Sequence, residues 1–373
     1  MNGLSRLKTS LFKGLRMVVA GVGRLSLLAL TSLVLALGFT AVILWLAFTA
    51  EDEAPPGATP SRPPPVAELV LPPTMNTTPS AAQGTTAKEV EILAPPTPAP
   101  VKHAAALTPV PDPDLIEEGK YGPLPKVATD GRMPWKVYAR PFSGDADRPR
   151  IAIAVGWLGL KRKTTQDTID SLPPEVTIGL SPYADKAQSW VVAARAAGHE
   201  VMLMIPMEPI NYPVYDPGPY SLLTGLSATD NLDRLDWLLS RITGYIGVAN
   251  DMGSKFTSVR EALTPIMTVF RDRGLLFLDA RSAATSVAAP LAGELGVPRV
   301  INNRYIDADI NREAIDRRLE QLERLARLHK VAVGLAHPYP VTLNRLAQWT
   351  ATLAGKGIDL VPISAVANSQ PNR

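Results

Sequence analysis

His337, in the stretch "AHPYP", is the one histidine of four placed directly after a strand-like run. A neutral imidazole there could serve as a general acid or base, or bind a metal; equally it could hydrogen-bond the loop entering the next helix. Several other polar residues follow strand-like runs in the same way. Glu208 stands between prolines in "IPMEP", where a stiff backbone either aims its carboxylate or makes it a turn cap. Asn250 and Asp251 in "ANDMGS" carry the chemistry of oxygen ligands and also that of ordinary caps. Asp279 and Arg281 in "LDARS" read as a ligand carboxylate with an oxyanion partner, or as a mutual ion pair. Trp157, after "RIAIAVG", offers a face on which a sugar ring can stack, or fills the core.

The elements that must position these residues occupy the second half of the chain. From about Arg150, β-branched runs ("IAIAV", "VTIGLS", "EVMLMIP", "YIGVAND", "LLFLDA", "RVINNRYID", "VAVGLAH", "DLVPIS") alternate with helical periodicities such as "NREAIDRRLEQLERLARLH". Repeated strand–helix units imply parallel strands joined by right-handed crossovers. The expected class is α/β, a barrel or a doubly wound sheet, with the unit count favouring the barrel. In such folds ligands bind where the strands end, which gathers the polar residues above at one mouth.

The first half differs in kind. No charge occurs from Leu25 to Ala50, long enough for a membrane-spanning helix of about 20 residues. The five cations before it (Arg6, Lys8, Lys13, Arg16, Arg24) predict a cytoplasmic N-terminus at 1–24 and an anchor at 25–50, with the rest outside. A cleaved signal peptide is the rival, but the apolar run exceeds a usual signal core and Phe48 is bulky for a cleavage site. Of 36 prolines, 21 lie between Glu51 and Arg150. That composition predicts a disordered, extended linker over 51–114, with a reach on the order of 50 Å. Aromatic residues return at Tyr121, Trp135, Tyr138 and Phe142, so the segment 115–149 is expected against the domain, where it could also serve a protein partner.

The net charge of +3 is a topology signal. Removing the five leading cations leaves 33 basic residues against 35 acidic ones, which gives no footing for nucleic acid. Zero cysteines exclude disulfides and thiolate metal sites. A hydrolytic zinc site needs about three ligands, commonly histidines, and the mouth offers one; a harder cation held by Asp251, His337 and Asp279 is the alternative. There is no glycine-rich phosphate loop and no Gly-x-Ser-x-Gly.

The ordered set "RIAIAVGWLGL", "AGHEVMLMIPMEP", "GVANDMGSKFT", "LLFLDARS", "AHPYPVT" and "DLVPISAVA" resembles the divergent polysaccharide deacetylase family over about 150–367. The resemblance implies a distorted (β/α) barrel, a periplasmic setting at the inner membrane, and descent from metal-dependent enzymes that remove N- or O-acetyl groups from glycans such as peptidoglycan. It also implies a fault. Two aspartates follow the first strand in intact members, and Gly156 and Trp157 stand there; Met204 and Asp251 replace two histidines. Neither Gly156 nor Trp157 can accept a proton or bind a cation, and a thioether is a poor ligand for such a site. The expectation is a degenerate member without a cofactor that binds glycan or acts as a scaffold, with His337 and Asp279 as catalytic groups only if activity persists.

Overall fold

The computed structural model describes residues 107–145 and 147–371. The predicted anchor at 25–50 and the linker up to 106 lie outside the described residues. Among the described residues no helix is long and apolar enough to cross a membrane.

Two short strands, β1 (Ile116–Gly119) and β2 (Gly122–Pro125), form an antiparallel hairpin, followed by one turn of helix, α1 (Pro134–Val137). The domain proper then alternates β3 (Arg150–Leu158), α2 (Arg162–Ser171), β4 (Thr177–Leu180), α3 (Ala187–Ala196), β5 (Val201–Met207), α4 (Ala228–Leu239) and β6 (Gly247–Met252). It continues through α5 (Arg260–Asp272), β7 (Leu276–Asp279), α6 (Ala288–Leu295), β8 (Arg299–Ile301), β9 (Arg304–Tyr305), α7 (Arg312–His329), β10 (Val331–Ala336), α8 (Pro340–Leu353) and β11 (Asp359–Val361).

Strands β3 to β11 make one nine-stranded sheet in the order β8-β7-β6-β5-β4-β3-β10-β9, with β11 beside the start of β3. Every pairing between them is parallel. The sheet is curled, and its two ends are one piece of chain. The sixth predicted strand is broken at Asn302-Asn303: β8 pairs with β7, β9 with β10. The Asn302 N–H bonds the Asp279 carbonyl and the Asn303 N–H bonds the Val333 carbonyl, so the break steps from one neighbour to the other. Beside it the C-terminal tail supplies the missing partners. Gln370 accepts from the Ile301 N–H at 2.7 Å and donates to the Ile301 carbonyl at 2.8 Å. An amide side chain can imitate a peptide group in this way because it carries both donor and acceptor.

Period-two alternation assigns the two faces of each strand. On β3, Ile151, Ile153 and Val155 pack outward under the helices, while Ala152 and Ala154 face the inside of the curl. On β5, Leu203 and Ile205 face out; Met202 and Met204 face in. The helices answer with matching stripes. In α7 the Asn311 side chain caps the start by accepting from the Ala314 N–H at 2.8 Å, and Ile315, Leu319 and Leu322 are buried on one face. Each such leucine contributes about 1.5–3 kcal/mol of transfer free energy.

The inner face is closed from below by the segment that precedes β3. Leu115, Ala128 and Tyr138 belong to the interior cluster, with Trp135, Val137 and Phe142 packed on it. The packed region begins before the expected boundary at 115. Val110 touches both core clusters, and the Thr108 carbonyl accepts from buried Arg195 at 2.9 Å. Two buried polar anchors hold the segment: Arg195 also donates to the Tyr138 carbonyl at 2.8 Å, and buried Glu200 accepts from the Arg140 N–H at 2.7 Å. Glu200 is shared with the Ser364 N–H and hydroxyl, so one carboxylate ties both terminal segments to the floor.

Candidate functional site

The mouth is shaped first by a backbone irregularity. The register between β3 and β4 shifts between Val155 and Leu158, so Gly156 and Trp157 form a bulge, a device that re-aims a side chain. Trp157 has φ of 57°, a left-handed conformation uncommon for so bulky a residue. Met252 at the end of β6 (φ 53°) and Arg281 after β7 (φ 52°) share it. The ends of β3 and of the neighbouring pair β6 and β7 thus carry backbone strain at one rim, as binding sites often do.

The bulge turns the indole of Trp157 flat onto the His337 imidazole, with ring centroids 3.8 Å apart and planes at 12°. Tyr339 (5.4 Å) and Tyr305 (6.3 Å) extend the aromatic group around that imidazole. Behind it stands Asp307, fully enclosed. Its Oδ1 lies 3.0 Å from His337 Nδ1, while its Oδ2 accepts from the His337 N–H at 2.8 Å and the Thr342 hydroxyl at 3.1 Å. A carboxylate at Nδ1 fixes the ring and leaves Nε2 as the working nitrogen. Asp307 closes the run "RVINNRYID", and the sequence alone gives it no role because its partner is 30 residues away.

Asp251 faces the same space. Burial raises its pKa, and the Trp157 indole N–H and the nearby His337 act in the opposite direction. It forms no ion pair among the described residues. Burial likewise pushes the Tyr305 hydroxyl up to about 12. These groups line a cleft of about 650 Å³ together with Ile210, Asn211, Tyr215, Ser254 and Ser282. A larger groove of about 1040 Å³ runs between α2 and α8 and contains none of them.

The other predicted residues sit nearby but are engaged structurally. The Glu208 carboxylate receives the Lys255 ammonium at 2.7 Å and the Thr224 N–H and hydroxyl at 2.6 Å each. Burial works to raise its pKa; those donors outweigh it and hold the group below the ordinary value. It pins the 208–224 loop, which supplies Ile210 and Tyr215 to the cleft. Asn250 accepts from the Ala280 N–H at 2.8 Å and donates to the Met252 carbonyl at 2.8 Å, joining the two strained turns. Asp279 lies on the outer face of β7. Its carboxylate accepts from the Arg281 N–H at 2.8 Å and the Ser286 hydroxyl at 3.1 Å, at the start of α6, and burial raises its pKa. The expected Asp279–Arg281 ion pair is therefore a backbone contact, and the Arg281 side chain turns to a separate groove beside Asn303 and Arg304.

The positions at which the resemblance places a metal site do come together, with side chains that do not suit one. A Cβ at Gly156 would stand 3.2 Å from both Sδ and Cε of Met204, so the thioether occupies the space a side chain there would enter. The alternative set of Asp251, His337 and Asp279 does not converge, since Asp279 leaves by the opposite face. Among the described residues no three His, Cys, Asp or Glu side chains gather to hold an ion. The donor set does not fit the divalent cation the family implies.

The curled parallel sheet fits the polysaccharide deacetylase type of fold. The sequence profile of the divergent polysaccharide deacetylase family matches residues 153–367, and the chain belongs to that family. It is similar to an uncharacterized protein of Haemophilus influenzae, 28% identical over 52% of this chain and 68% of that one. Uncharacterized protein YibQ of Escherichia coli is 24% identical over 59% of this chain and 67% of its own length. The crystal structure of uncharacterized protein ATU2773 from Agrobacterium tumefaciens superposes with a TM-score of 0.64 at 40% identity, covering 66% of this chain and 99% of that one.

Proposed function

We propose that this protein is a catalytically degenerate member of its family, tethered to the inner membrane by residues 25–50, whose periplasmic domain binds an envelope glycan such as peptidoglycan or another acetylated polysaccharide. One observation carries the reading: Met204 fills the space beside Gly156 while Trp157 lies on His337, so the groups that would hold a cation and ionise water are replaced by a thioether and an indole. What is left suits a sugar. The rings of Trp157, Tyr215, Tyr305 and Tyr339 supply apolar faces, and Asn211, Ser254 and Ser282 offer hydrogen bonds to hydroxyls.

The test is calorimetric titration of the full chain in detergent with N-acetylglucosamine oligomers and peptidoglycan fragments, comparing wild type with Trp157→Ala. Binding weakened by the substitution supports the reading; absence of binding by either protein removes it. The His337–Asp307 pair favours a second reading, a hydrolase that retains the acid–base half of its machinery. Acetate released from acetylated oligomers, abolished by His337→Ala, would establish that reading in place of the first.

A further inference from the structure

The composition of the cleft at the strand ends is uneven in charge. Asp251 brings a half-buried carboxylate that faces the Trp157 indole N–H and has no Lys or Arg partner among the described residues. The nearby Lys255 is committed to Glu208, and Arg281 turns to another groove. The remaining group able to carry positive charge there, His337, has its Nδ1 held by Asp307 and one ring face covered by Trp157. Trp157 turns its N–H edge to the carboxylate, and Tyr215 and Tyr305 line the same cleft with rings whose faces attract cations.

A carboxylate in such a cleft repels uronates and phosphates. An acetamide N–H could donate one neutral hydrogen bond to it, but would leave the charge without a counter-ion. A primary ammonium satisfies both features, by a charge-assisted hydrogen bond to Asp251 and by contact with the rings. Resting on the glycan-binding reading above, we propose that the cleft selects de-N-acetylated amino sugars: it takes a glucosamine unit with its free ammonium on Asp251 in preference to the N-acetylated unit. A protein derived from a deacetylase scaffold would then recognise the chemical product of deacetylation instead of forming it.

The experiment titrates the full chain in detergent, at fixed pH and salt, with a glucosamine hexamer, an N-acetylglucosamine hexamer and spermidine. The expected result is binding of the glucosamine hexamer about ten-fold tighter than the acetylated one, the scale of one charge-assisted hydrogen bond. Asp251→Asn should bring the two within about two-fold of each other, and Asp251→Glu should keep the preference, which separates lost charge from lost fold. Equal or tighter binding of the acetylated hexamer overturns this inference and leaves glycan binding standing. Failure of both hexamers overturns both. Spermidine binding as tightly as the glucosamine hexamer overturns selection of a sugar.

Discussion

The thioether of Met204 and the backbone of Gly156 are in contact across the inside of the sheet, and Gly179 closes the same contact from β4. A Cβ at Gly179 would lie 2.9 Å from the Gly156 Cα and 2.9 Å from Met204 Sδ, whereas one at Gly156 meets the movable end of Met204 at 3.2 Å and Leu335 Cδ1 at an ordinary 3.9 Å. The two glycines are therefore unequal. Gly179→Ala should destabilise the domain by about 1–3 kcal/mol in urea unfolding, as overpacking against backbone does. Gly156→Ala should cost clearly less, and equal costs would show that the packing is described wrongly.

Restoring the side chains of intact family members should restore metal affinity. The combined substitution Gly156→Asp, Trp157→Asp, Met204→His and Asp251→His removes the thioether that fills the space and brings two carboxylates and two imidazoles to convergent positions. It also puts an aspartate, which tolerates φ above zero better than tryptophan, at the strained position 157. The expected outcome is about one equivalent of zinc or a similar divalent ion retained through dialysis by the variant, against none by the wild type. Metal analysis by mass spectrometry reads it.

Glu208 is a loop anchor in this structure, and its loss should appear first in stability. Glu208→Gln removes the charge that faces the Lys255 ammonium and puts a donor NH2 where one of two acceptor oxygens stood, and should cost about 1–3 kcal/mol. Because the folded pKa is depressed, the wild-type advantage is present above the ordinary carboxylate range and is lost as pH falls through the folded value. Urea midpoints of the two proteins should therefore converge in acid. A gap that widens there would contradict the assignment.

Glu200 behaves in the opposite sense. Burial raises its pKa despite the donors from Ser364, Arg140 and Thr177. The fold favours the protonated form, so its contribution is full below the ordinary carboxylate range and is lost as pH rises through the raised value. Replacing it by Gln should flatten the decline of melting temperature with pH above that range, and an unchanged slope would rule the group out.

The Asp307 carboxylate sets the orientation of His337. Asp307→Asn leaves an amide facing Nδ1 and should change the tautomer balance, visible as altered ring nitrogen shifts in NMR of the labelled imidazole. Thr342→Val, which removes one donor from the other oxygen, should leave those shifts nearly as in the wild type.

Much of the architecture was legible in the chain. Seven of the eight β-branched runs became one strand each and "RVINNRYID" became two, and the mouth formed at the strand ends because parallel strands with right-handed crossovers leave no other common edge. Alternation held further information that residue types alone hid. In "LLFLDA", Leu276, Leu278 and Ala280 belong to the interior cluster, so Asp279, one step out of phase, had to face the helices. The same parity separates Asn250 from Asp251. The Asp307–His337 pair was beyond such reasoning, because it depends on β9 and β10 lying side by side, and only the break at Asn302-Asn303 brings them together. Nor does a sequence reveal a bulge. The flat contact of Trp157 on His337 follows from a register slip of the β3–β4 ladder that no residue type announces.

The stretch from Thr108 to Phe142 crosses the pole of the domain remote from Trp157 and His337. Whatever precedes Thr108 is attached there. A pull exchanged between a polymer held at the cleft and the upstream chain would run lengthwise through the strands, and Arg195 and Glu200 would be the rivets under load.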